Sequence, residues 1–136
     1  MAPQTMLGTR GEAEVAGALA RFIASGDESD AAFDAHARLL FAYQYACNEP
    51  YRRYCEARGA RPEGIGHWSQ IPAAPAAAFK RFDLTCTPPE SAARVFRSSG
   101  TTGRNASRHI LSAAALDLYD RSLRSAFARF VLPDGA

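Results

Sequence analysis

The sequence predicts an α/β fold in two stretches: a helical part over about 11–59, then a mixed α/β part over 60–136. Three observations carry this. Apolar residues recur at spacings of three and four up to Gly59. From Arg61 onward, prolines and glycines break that rhythm. Short alternating runs then follow, and one more amphipathic helix closes the pattern.

The first helix is predicted from Glu12 to Ala24. Val15, Leu19, Phe22 and Ile23 share its apolar face, and Gly26 offers the stop. Ser29 or Asp30 caps a second helix that runs to about Asn48. Its stripe is Phe33, Ala37, Leu40, Phe41 and Gln44, which reads as packing and not as an acyl tunnel. Pro50 suits the first turn of a third helix, because its missing N–H has no helical partner there. Tyr51, Tyr54 and Cys55 form its inner face and Gly59 ends it.

Pro62, Gly64 and Gly66 make a turn-rich connection. Ile71-Pro72 and Pro75 forbid a long helix, and Ala76–Phe79 fits one helical turn. Phe82, Leu84 and Cys86 alternate with Asp83 and Thr85, which predicts a strand. Ala93–Arg97 and Ser107–Ile110 are predicted as two more. Ser112 caps a last helix, Ala113 to about Phe130, with Leu116, Tyr119, Leu123 and Phe127 on one face. Trp68 and Phe79 are expected in the core, as large aromatics bury most of their area.

Composition excludes several classes. The 136 residues suffice for one domain with a core. Hydrophobic residues at 47% and charged residues at 22% argue against disorder. A net charge of +2 gives no concentrated basic face for nucleic acid. No run approaches the roughly 18 apolar residues of a membrane span, and Met1–Arg10 lacks a signal-peptide pattern. Cys47, Cys55 and Cys86 form an odd set without a CxxC pair. They read as free thiols in a reducing, cytoplasmic setting. His36 and His67 lack partners at metal-ligand spacing.

The run Ser98-Ser99-Gly100-Thr101-Thr102-Gly103 carries the strongest chemical signal. Gly100 and Gly103 let the backbone approach a ligand, and successive N–H groups can cradle an anion. The four hydroxyls can add donors. Arg104 follows Gly103, so the Gly-Lys-[Ser/Thr] ending of a P-loop is missing. The dinucleotide fingerprint is missing too. On composition alone the run reads equally as a solvated turn.

Its context resembles something narrower. Ser98–Gly103 is similar to the phosphate loop of adenylate-forming enzymes. Val95-Phe96-Arg97, Ser107-Arg108-His109, Trp68, Ile71-Pro72-Ala73-Ala74-Pro75, Phe79-Lys80 and Asn48-Glu49-Pro50-Tyr51 with Tyr54-Cys55 resemble the acyl-protein synthetase (LuxE-like) family. The resemblance covers roughly Phe33 to Gly135. It implies an adenylate-forming, acyl-CoA-synthetase-like α/β unit preceded by helices. It also implies a ligase that uses ATP and Mg2+ to turn a fatty or other carboxylic acid into an acyl-adenylate. The acyl group then passes to a protein thiol and on to an acyl reductase partner, in some relatives for bioluminescence. Ser98, Ser99, Gly100, Thr101, Thr102 and Gly103 would hold the phosphates.

The familiar Pro-Lys continuation is replaced by Arg104-Asn105-Ala106-Ser107-Arg108. Arg104 and Arg108 are thus alternative cationic contacts, or plain surface residues. His109 either touches substrate or nucleotide or is structural. Lys80 is either a solvated edge residue or a phosphate contact. Adenine, ribose, catalytic-lysine and acyl-cysteine motifs lie beyond the loop in the family and have no counterpart here. The chain is therefore expected to be an N-terminal portion of such a ligase, inactive alone and prone to self-association. The alternative is a helical interaction module that docks on a reductase or on a separately encoded remainder.

Overall fold

The computed structural model describes residues 10–99 and 106–132. Four α-helices and one hairpin lie in this range: α1 (Glu12–Ser25), α2 (Asp30–Cys47), α3 (Glu49–Glu56), β1 (Arg94–Arg97), β2 (Arg108–Leu111) and α4 (Ala113–Phe130). The three helix-end signals of the first stretch act as expected. Gly26 and Gly59 take left-handed φ of 64° and 67°, which a side chain would strain. The cap of α2 is Ser29, whose hydroxyl accepts the Ala32 N–H; Asp30 is already helical. Ser112 caps α4 in the same way through Ala115 N–H.

The core sits where α2 and α3 meet the irregular 60–74 connection. Phe41, Tyr51, Cys55 and Ile65 form it, with Tyr45, Tyr54 and Ile71 half-buried around them. A second apolar layer joins α1, α4 and β2, where Val15 and Ile110 are buried. Ser112 bonds Glu12 and Arg129 pairs with Glu28, so α4 lies along α1 in the same direction. A cavity of about 200 Å³ lies between this layer and α2, beside the place where Phe22 of α1 stacks on His36 of α2 with ring centroids 4.3 Å apart.

The mixed helix-and-strand class holds, but the sheet is smaller than expected. Among the described residues the sheet is one antiparallel pair, with Arg94 opposite Leu111, Val95 opposite Ile110, Phe96 opposite His109 and Arg97 opposite Arg108. The predicted strand at Phe82–Cys86 does not form. The Thr85 hydroxyl takes the Thr87 N–H and donates to the Thr87 carbonyl, closing a local turn. Phe82 remains 53% exposed, while Leu84 and Cys86 are half-buried.

Two further expectations change. Trp68 lies at the surface, 38% exposed. Its indole N–H donates to Asp30 and its backbone N–H to Asp34, clasping the connection onto the start of α2. His67 supports this clasp through Asp30 Oδ2 at 3.2 Å. Cys47 and Cys86 are not free: they form a disulfide with Cα atoms 4.9 Å apart. Spacing in sequence hid this pairing, because the whole of α3 and the connection loop back between the two residues. Cys55 is the buried free thiol that the composition suggested. Two of the three cysteines are thus paired, against the expectation of free thiols in a reducing compartment.

Candidate functional site

The hairpin positions the Ser-Thr-Gly run. β1 ends at Arg97 and β2 begins at Arg108, so 98–107 is the connection between them. Gly100, Thr101, Thr102 and Gly103 lie outside the described residues, as does Arg104. The described ends of the connection are tied together. Ser98 N–H donates to the Ser107 carbonyl at 3.2 Å, and Ser107 N–H donates to Ser98 Oγ at 2.9 Å. The Ser98 hydroxyl accepts this bond and carries a proton that it can donate. Ser99 is exposed beside it.

Two guanidinium groups flank this mouth. Arg97 and Arg108 are directly opposed across the hairpin, a like-charge pairing that costs stability unless compensated. Asp83 supplies part of the compensation, with Oδ1 3.3 Å from Arg108 Nη1. Arg108 Nε is buried and has no partner among the described residues. Arg97 is exposed and lies within ion-pair reach of no carboxylate among the described residues. Among the described residues the mouth thus carries two cations, Arg97 and Arg108, and one neutralising carboxylate, Asp83. An anion drawn there meets hydroxyl donors and a guanidinium fork.

His109 points into a different environment. Its ring stacks on Phe79 with centroids 4.5 Å apart, and Nε2 lies 3.3 Å from Ser107 Oγ. The structural reading of His109 fits these contacts. Lys80, next to Phe79, is exposed.

Sequence reasoning missed a second feature. A groove of about 400 Å³ opens between α3 and the 74–84 segment. Tyr51, Tyr54, Ala78, Phe82 and Leu84 give it apolar walls, and Arg81 is its charged residue. Both phenols are already committed: Tyr51 donates to the Pro72 carbonyl at 2.7 Å and Tyr54 to the Ala73 carbonyl at 2.9 Å. Burial and the Cys55 neighbour push the Tyr51 phenol far above its ordinary value. The rings therefore offer the groove apolar surface. Like Arg97, Arg81 has no carboxylate within ion-pair reach among the described residues. Such a shape, apolar with one placed polar group, is the usual form of a small-molecule site. Its walls come from two separate stretches, Pro50 to Tyr54 and Ala74 to Leu84, so no local pattern announces it.

Groove and hairpin share a segment. Phe79 and Asp83, which touch His109 and Arg108, bracket Arg81 and Phe82 of the groove. No protein-family model, curated protein or solved structure matches the chain.

Proposed function

We propose that this chain binds ATP at the hairpin connection and an apolar carboxylic acid in the adjoining groove, for activation of the acid as an acyl-adenylate. The observation that carries the reading is the pairing of Arg97 and Arg108 at the mouth of a Ser-Thr-Gly connection. The exposed Arg97 guanidinium, with no carboxylate in ion-pair reach among the described residues, and the Ser98 hydroxyl support it, since both can donate to phosphate oxygens. Arg81 would hold the carboxylate of the acid, with its tail against Tyr51, Tyr54 and Phe82. Concentrating cations around a transferring phosphoryl group is the main electrostatic demand of this chemistry. Among the described residues no cluster of three carboxylate, His or Cys groups offers a Mg2+ cage. Magnesium would enter on the nucleotide phosphates, as it commonly does. The acyl group would then go to a protein thiol, with an acyl reductase as the partner.

Hydrogen exchange tests the placement. Mg·ATP should slow exchange of amides at 98–99 and 106–109 and leave 12–25 unchanged, and sodium octanoate should protect 77–84. Uniform or absent protection would count against the reading. A non-catalytic docking role has one observation in its favour, the uncovered apolar face of α4.

A further inference from the structure

Helix α4 has two apolar faces and the fold covers one. Ala114 and Leu118 turn towards Val15 and Leu19 of α1. At 100° per residue, Leu116, Tyr119, Leu123, Phe127 and Phe130 form a separate stripe about 40° to either side of Leu123. From Tyr119 onward that stripe lies open, while Leu116 is half-buried: Tyr119 is 55% exposed, Leu123 54%, Phe127 50% and Phe130 74%. Phe96 extends it, with its ring 6.1 Å from that of Tyr119. A contiguous patch of this kind marks an interaction surface.

The flanks of the stripe say what covers it. Asp120 and Arg124 lie on one side and the small residues Ala115, Ser122 and Ala126 on the other. An antiparallel two-fold pairing brings each flank against its own copy. Centred near Ser122, it sets Asp120 of one chain beside Arg124 of the other, and the reverse. Small residues on the opposite flank let the helices approach. We propose that α4 is a self-complementary dimer face, joined by Leu123 and Phe127 and fixed in register by reciprocal Asp120–Arg124 pairs. The two residues already bond within one helix at 2.7 Å, which holds both side chains on the required flank. This goes beyond the activation reading and does not depend on it.

Sedimentation of the full chain over a concentration series tests the face. The wild type should form a dimer, and Leu123→Glu should abolish it. Asp120→Arg and Arg124→Asp each place like charges opposite one another, so each alone should be a monomer with unchanged helical circular dichroism. Mixed together, those two variants should form a heterodimer, because every opposed pair is then of opposite sign. A wild type that stays monomeric throughout would overturn the proposal and leave the face to a different partner. Dimers that persist in Leu123→Glu, or a mixture that stays monomeric while the wild type dimerises, would overturn it too.

Discussion

Asn48 closes one helix and opens the next. Its backbone N–H donates to the Gln44 carbonyl, while its side-chain oxygen accepts the Tyr51 N–H. It is buried, so water cannot replace either bond. Asn48→Ala should cost about 0.5–2 kcal/mol, the range for losing an N-cap, read as a lower urea midpoint with an unchanged slope. Tyr51→Phe leaves the Pro72 carbonyl without its phenol donor. It should cost about 1 kcal/mol. Sequence was most informative at this scale. Ser29, Ser112, Gly26 and Gly59 act through bonds or backbone angles only a few residues away, so their chemistry shows in the string itself. Arg81 and Arg97 did not show, because what makes them distinctive is that no carboxylate among the described residues lies within ion-pair reach in space.

Among elements, the 82–88 segment teaches the most. Alternation predicted a strand, yet a strand needs a neighbour to pair with, and among the described residues none pairs with Phe82–Cys86. What holds the segment instead is Asp83 on Arg108, the Thr85 turn and the Cys47–Cys86 bond. That bond closes a loop with a sequence separation of 39. Chain entropy assigns such a closure roughly 4 kcal/mol, before any strain. Reduction, or Cys47→Ser with Cys86→Ser, should lower the melting temperature clearly. Because Phe82 and Leu84 line the groove and Asp83 meets the hairpin, octanoate affinity should weaken as well. An unchanged melt would show that the bond does not constrain the chain. The helices were legible as elements from the regular period of their apolar residues, which α1, α2 and α3 bury in part and α4 leaves largely open; the hairpin was legible from the positions of its two strands.

For the molecule as a whole, the buried cluster sets a pH limit. Burial raises the Tyr51 phenol above 10.0 and the Cys55 thiol above 9.0. Both groups keep their protons in the fold at pH values where the unfolded chain loses them. Their contribution is fully present below about pH 9. It is lost as pH rises, since the unfolded state is then favoured by ionisation. Melting temperature should be flat to about pH 9 and fall above it, and Tyr51→Phe with Cys55→Ala should make the fall shallower. The overall class, helices with some strand, was readable from periodicity. The two packing layers and the groove were not, because they depend on how α3 and the 60–84 connection fold back on α2.

The central claim is that the connection after β1 binds nucleotide phosphate. Calorimetric titration of Mg·ATP into the whole chain tests it most directly. Saturable binding is expected, lost in Thr101→Val with Thr102→Val and weakened roughly tenfold in Arg97→Gln, about the value of one charge-assisted hydrogen bond. No binding by the wild type, or equal binding by the valine variant, would contradict the account.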